Sequence, residues 1–449
     1  MKVAQFSRIG FIMAAAGSAV GLGNIWKFPY MTGMYGGGAF VLVYLITITF
    51  IGFSVMVAEM LIGALGRRDT VGSFERLAPP HAKGWKYAGF MGFNGLIIMT
   101  FYSVVIGWIF YYLFAIFSGL PTSTDSAKAA FDTLVAQKAG IQIFWHTVAV
   151  IIVGYIVYRG IKGGIEKFNL ILMPALILIL FGLLAYATTL EGFAKAWHFM
   201  FASDWSKINS EAIVRAVGHS FFTLSLGMGA IMTYAASLPK NASITKTAFI
   251  VTFMDTLIAL VAGLVIYSFL FHEGAPAAQG PGLVFISLPV VLSQFGALGT
   301  VLALLFFLAL AFAGITSAIS LVEPVVQYLI DRFDWSRGKS VVVTSIAYWI
   351  VGIGALLSYT KAWGPIFSIG GKPLFDLLEF STDSILLPLG GLAIAIFVGY
   401  VLPKNKVRSA LEKDMGDLFF HVWRFSIRYV APVALIFMML NLLGILKIK

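Results

Sequence analysis

Residues 17 to 29 read Gly17-Ser18-Ala19-Val20-Gly21-Leu22-Gly23-Asn24-Ile25-Trp26-Lys27-Phe28-Pro29, in the middle of the first apolar stretch of a 449-residue chain. An apolar helix carrying two close glycines, an asparagine, a lysine and a proline is not an ordinary lipid-facing span. Glycine disfavours the helix and proline lacks a donor, so the spacing predicts that the backbone unwinds here. Unwound backbone at membrane depth persists only where protein buries it or where it lines a polar cavity. The stretch therefore marks a binding site.

Working outward, the chain is 59% hydrophobic and only 11% charged. That balance excludes a soluble domain of this length and points to a polytopic membrane protein. Without cysteine there are no disulfides or thiolate metal sites, and the six histidines form no metal-like cluster. The net charge of +11 does not indicate nucleic acid, because the basic residues lie in short loops between apolar runs.

Eleven runs approach or exceed the length a bilayer requires, near 9–35, 39–65, 88–118, 142–159, 165–189, 212–237, 246–271, 295–331, 340–358, 381–402 and 419–446. With the N-terminus inside, nineteen basic residues fall on the cytoplasmic side and nine outside, which predicts a cytoplasmic N-terminus and an external C-terminus. A signal peptide is set aside, since ten further runs follow the first. No metal cluster, nucleophile–base pair or phosphate loop suggests an enzyme.

A second interruption, Thr223-Leu224-Ser225-Leu226-Gly227-Met228-Gly229, falls inside the sixth run. Each of two five-span halves thus opens on a helix broken at a G-x-G, and halves with an odd number of spans have opposite orientations. Paired breaks of this kind indicate an inverted-repeat secondary transporter with its site at the midplane. The bland alternative is that the glycines only mark close helix packing. The organisation read from this is an all-α fold: a first inverted repeat over 1–190, a second over 191–402, and one extra helix over 403–449.

These two stretches, with Gly36-Gly37-Gly38-Ala39-Phe40 and Ala313-Gly314-Ile315-Thr316-Ser317, resemble the neurotransmitter:sodium symporter family over almost the whole chain. The resemblance implies the leucine-transporter fold and co-transport of sodium with an amino acid. A non-transporting amino-acid sensor on the same fold is the alternative. A sodium channel is a further rival, disfavoured by gates on both sides of the site.

The chemistry of an amino acid suits the breaks. A carboxylate seeks free N–H groups at a helix terminus, which Leu22 and Gly23 supply. By resemblance Tyr102 adds a hydroxyl; otherwise it is a packing aromatic. The ammonium seeks acceptors, here the carbonyls of Ala19, Phe222 and Ser225. Ile98 and Tyr102, like Ser317 and Leu321, are i and i+4 pairs, so each pair shares a helix face. With Phe222, Met228 and Ala318 they form an apolar pocket expected to take hydrophobic or aromatic side chains.

Sodium is hard and takes oxygen ligands, and the resemblance implies two sites. The first uses Ala19, Asn24, Thr223 and Asp255 with the substrate carboxylate. The second uses the carbonyls of Gly17, Val20 and Ala313 with the hydroxyls of Thr316 and Ser317. The alternative for these hydroxyls is bonding back to their own helix.

By resemblance, a leucine-transporting member of the family carries asparagine at the position of Asp255 and glutamate one turn later, where Ala259 stands here, and chloride-dependent members lack such a carboxylate. A fixed carboxylate beside the sodium implies chloride independence, with Asp255 taking a proton on the return step. An acid held by a structural hydrogen bond is the alternative. His219 stands where relatives have glutamine and either tunes this acid or simply packs. Glu59 is expected to brace the broken helices.

By resemblance, Lys27 and Glu379 stand where relatives usually carry the arginine and aspartate of an outer gate. Asp331 occupies the position of an inner one, with Lys2 or Arg8 as its base. The spacing of Gly164 and Pro174 resembles the family device that lets span 5 unwind, or else the pair forms a static kink. The sequence thus predicts a multi-pass protein of the bacterial inner membrane, with an amino acid and sodium as ligands and no nucleic-acid partner. Its oligomeric state is left open.

Overall fold

The computed structural model describes residues 5–202, 205–239, 242–275, 282–412 and 414–446. Among these, nine continuous helices are long and apolar enough to cross a membrane. They are Gly38–Gly66 (span 2), Pro80–Ser118 (span 3), Ala139–Tyr158 (span 4), Ile161–Ala187 (span 5) and Ile244–His272 (span 7). Gly296–Phe333 (span 8), Arg337–Leu357 (span 9), Leu374–Val401 (span 10) and Asp417–Leu442 (span 11) complete the nine.

The two remaining spans are the broken ones. Span 1 is Arg8–Ala19 followed by Gly23–Met34, bent by 47°. Span 6 is Ser210–Thr223 and Ala230–Ala236, joined by a turn over 224–229. Neither half of span 6 could cross a bilayer alone, since a crossing helix needs about 20 residues.

The breaks have separate local causes. In span 6, Ser225, Gly227 and Gly229 all have positive φ, at 53°, 74° and 73°. A Cβ on Gly227 would also meet the Leu387 carbonyl at 2.3 Å, so span 10 presses directly on the turn. In span 1 no residue between Ala19 and Phe28 has positive φ. There the helix stops at Val20 and resumes as a π-helical turn over Gly23–Lys27, a form that concentrates at functional sites.

The first half of span 1 lies against spans 5, 7 and 8, and the second half of span 6 lies against span 2. Both breaks therefore sit inside the bundle, where other helices can satisfy the freed backbone. The short helices Thr124–Gln137 and Gly192–Phe201 and the hairpin Ser368–Ile369/Lys372–Pro373 lie between spans. The Gly36-Gly37-Gly38 motif turns the chain from span 1 into span 2. A Cβ on Gly37, at φ 61°, would lie 2.4 Å from the Phe199 carbonyl.

Candidate functional site

Between the two breaks lies a cavity of about 20 Å3, lined by Ala19, Leu22, Gly23, Ile98, Tyr102, Phe222, Ser225, Met228, Ser317 and Leu321 among others. Both i, i+4 pairs face it. Ala318 does not: it is buried one residue round the helix from Ser317, about 100° off the lining face. The volume holds about one water, so this conformation is contracted around the site.

The Leu22 N–H is 3.4 Å from the Tyr102 hydroxyl, at the position expected to receive a carboxylate. The Ser225 hydroxyl donates to the Ser18 carbonyl at 2.7 Å, which ties the two breaks together. That bond holds Ser225 in its left-handed backbone conformation, a form unfavourable for a side-chain-bearing residue.

Above this cavity is a larger one of about 430 Å3, walled by Trp26, Phe101, Trp108, Phe131, Phe375 and Tyr359. Leu22, Gly23, Tyr102 and Phe222 line both. The Lys27 ammonium lies 4.5 Å above the Phe222 ring, an arrangement favourable through the ring quadrupole. The ring thus stands between the two cavities with a cation above it.

The outer gate differs from the expectation. Lys27 pairs with Asp383, not with Glu379. Asp383 lies four residues, one turn, beyond Glu379 in a π-helical turn over Thr382–Leu386, which brings it onto the lysine. Glu379 lines the same cavities as Lys27.

Asp255 is fully buried and accepts three hydrogen bonds: from the Asn24 amide at 2.7 Å, the Thr223 hydroxyl at 2.8 Å and the Tyr44 hydroxyl at 3.2 Å. Asn24 accepts in turn from the Gly21 N–H at 2.8 Å. Three donors around one buried carboxylate suit its ionised form. The His219 ring lies beside Tyr44, 5.4 Å between centroids, and does not touch the acid.

On the other side of the break, the Ser317 hydroxyl lies 3.2 Å from the carbonyls of Gly17 and Ser18 and 3.4 Å from that of Val20. One proton cannot serve three acceptors, and only the Ser18 carbonyl has a second donor, Ser225, so the Gly17 and Val20 oxygens are in surplus, as suits a hard cation. Thr316 donates to Phe312 at 2.9 Å and to Ala313 at 3.1 Å, within its own helix.

Glu59 is fully buried and accepts from the N–H groups of Gly227 at 3.1 Å and Met232 at 3.4 Å, at the start of the second half of span 6. Opposite it, the Asn94 amide donates to the carbonyls of Gly227 at 2.9 Å and Leu386 at 3.1 Å. Asn94 was missed from the sequence; its signal is an amide at the mouth of an apolar span.

The inner gate also differs. Asp331 accepts from the Asp69 N–H at 2.9 Å and from Gln327 at 2.8 Å, with Arg8 exposed at the start of its helix and Lys2 outside the described residues. Phe6 is buried against Phe11 and Tyr234, and Ser7 bonds Glu166 of span 5 at 2.5 Å. A bidentate pair joins Glu323 to Arg337 at 2.5 and 3.0 Å, and Arg337 also donates to the Val157 carbonyl at 2.8 Å. An acid inside the apolar run of span 8 was the signal for it. Gly164 lies in a π-helical turn over Ile161–Glu166, and Pro174 lies within the continuous helix that follows.

This geometry agrees with comparisons to known proteins. The sequence profile of the Sodium:neurotransmitter symporter family matches residues 4–142 and 131–448. The chain belongs to this family. Its members are transporters, not enzymes. It is 33% identical to the sodium-dependent transporter YhdH of Bacillus subtilis, over 98% of each chain. It is 34% identical to a sodium-dependent transporter of Haemophilus influenzae, over 96% of each.

The crystal structure of MhsT in complex with L-phenylalanine superposes with a TM-score of 0.89 at 38% identity, covering 98% of this chain and all of that one. That match bears out the leucine-transporter fold, its inverted five-plus-five repeat and the additional eleventh span. The protein is a sodium-dependent, multi-pass membrane transporter.

Proposed function

We propose that this transporter imports hydrophobic and aromatic L-amino acids into a bacterial cell together with sodium, by alternating access and without chloride. The observation that carries the reading is the contracted cavity between two broken helices. It offers helix-terminal N–H groups and the Tyr102 hydroxyl at one end and apolar walls at the other. The family's sodium dependence and the L-phenylalanine bound to MhsT support it.

Leu22, Gly23 and Tyr102 receive the carboxylate, and the carbonyls of Ala19, Phe222 and Ser225 receive the ammonium. Ile98, Met228, Ser317 and Leu321 shape the side-chain pocket. One sodium binds Ala19, Asn24, Thr223, Asp255 and the substrate carboxylate. A second binds Gly17, Val20, Ala313, Thr316 and Ser317. Asp255 supplies the negative charge that removes the need for chloride and takes a proton when the site returns unloaded. Lys27 with Asp383 closes the outer side, and span 5 opens the inner side between Gly164 and Pro174. The N-terminus is cytoplasmic, the C-terminus external, and the repeats run over 1–190 and 191–402.

Uptake of radiolabelled tryptophan and leucine into proteoliposomes, with sodium, potassium and chloride exchanged separately, tests this. Uptake that needs sodium, ignores chloride and is lost in Asp255→Ala is the expected result. Binding without accumulation would establish a sensor, and a strict chloride requirement would overturn the role of Asp255.

A further inference from the structure

Asn169 lies in span 5 midway between Gly164 and Pro174 and is 0% exposed. Its amide nitrogen donates to the Ile165 carbonyl at 2.8 Å, one turn back along its own helix. That bond turns the amide oxygen, Oδ1, away from span 5. Oδ1 has no hydrogen-bond partner among the described residues. A buried acceptor left unpaired is costly, so this oxygen calls for a partner that the described residues do not supply.

Its position identifies that partner. A Cβ built on Gly17 would lie 2.0 Å from Asn169 Oδ1 and 3.1 Å from the Thr316 Cβ. Only glycine at position 17 admits the amide oxygen to this corner. The corner adjoins the Gly17 carbonyl and the Thr316 side chain, both assigned above to the second sodium. Neither hydroxyl there is free to donate: Thr316 bonds its own helix, and Ser317 faces the carbonyls of span 1. An oxygen beside surplus carbonyl oxygen, with no donor in reach, fits a hard cation and not a hydrogen-bond network.

We propose that Asn169 Oδ1 is the oxygen that span 5 contributes to the second sodium, alongside those of spans 1 and 8. This rests on the proposed second site. It gives the Gly164–Pro174 segment a direct hold on the ion: when the segment unwinds, the same movement withdraws one ligand and opens the way out. Ion release and opening are then one event.

The test reads sodium binding by purified protein in detergent in two ways, as sodium-dependent binding of radiolabelled L-tryptophan and as the sodium-induced rise in melting temperature. Asn169→Ala is expected to raise half-saturating sodium about fivefold or more and to shrink the melting shift. Asn169→Asp, which keeps the oxygen and adds charge, is expected to restore or tighten sodium binding. A folded Asn169→Ala with wild-type half-saturation overturns the proposal. So does an equal weakening in both variants, which would indicate packing alone. If Asn169→Ala does not fold, Asn169→Asp decides: tighter sodium binding supports the ligand role, and unchanged or weaker binding overturns it. The melting shift needs no amino acid, so it tests Asn169 even where the substrate reading fails.

Discussion

The two broken helices solve the same backbone problem in opposite ways. The turn in span 6 spans 224–229, bends through three left-handed residues, and is braced by Glu59 on one side and Asn94 on the other. The break in span 1 is shorter and uses no left-handed residue; Ser225 donates to its Ser18 carbonyl, while those of Gly17 and Val20 face only the Ser317 hydroxyl. Protein groups satisfy the first. The second leaves the Gly17 and Val20 carbonyls sharing one hydroxyl proton, the oxygen proposed above for sodium. On the proposed function, span 6 is the braced wall of the site, although Phe222, Thr223 and Ser225 also face the ligands, and span 1 is its less braced edge.

The sharpest way to break this contrast is to add a methyl group to each turn. Gly227→Ala places a Cβ at 2.3 Å from the Leu387 carbonyl in a left-handed backbone. It should destabilise the protein by about 3 kcal/mol or more, read as a fall in melting temperature in detergent. At Gly21 the nearest atom to an added Cβ is the movable Ser317 hydroxyl at 2.5 Å. Gly21→Ala should cost under about 1.5 kcal/mol of stability yet abolish amino-acid binding. Equal melting losses would contradict the assignment of wall and edge.

Glu59→Gln exchanges one accepting oxygen for a donor facing N–H groups. It should lower stability by about 1–3 kcal/mol while leaving the sodium dependence of the folded fraction in place. Ser317→Ala should do the converse, raising half-saturating sodium about tenfold with the melting temperature of sodium-free protein little changed, since a lost ligand weakens binding more than folding. Away from both breaks, Arg332 bonds Glu75 at 2.7 Å. That hydrogen bond holds the Glu75 carboxyl below the usual carboxylate range. The pair is solvent-screened, so Arg332→Ala should change stability by less than about 1 kcal/mol.

The sequence made the breaks legible because Gly21, Gly23, Asn24, Lys27 and Pro29 contradict an apolar helix, and the i, i+4 spacing correctly grouped the lining of the cavity. Ala318 failed by the same geometry, since a residue adjacent to Ser317 points elsewhere. Which acid meets Lys27 was not legible. Glu379 and Asp383 stand one turn apart on one helix, and the choice depends on a local π-helical turn that no spacing rule signals. Asn94 acts across the bundle on Gly227 and Leu386, Glu323 pairs with Arg337 at the start of the next span, and Asn169 Oδ1 is aimed at Gly17 of span 1. Each carried only the weak signal of a polar side chain in an apolar run, which says that a partner exists but not which one.

On the proposed function, ion and amino acid share the break in span 1. The most direct measurement is therefore equilibrium binding of L-phenylalanine at graded sodium, paired with sodium binding at graded L-phenylalanine. Linkage requires each ligand to raise the affinity of the other by the same factor. A shared break gives a common factor of about tenfold or more, collapsing toward one in Asn24→Ala. Amino-acid affinity that is independent of sodium would contradict it.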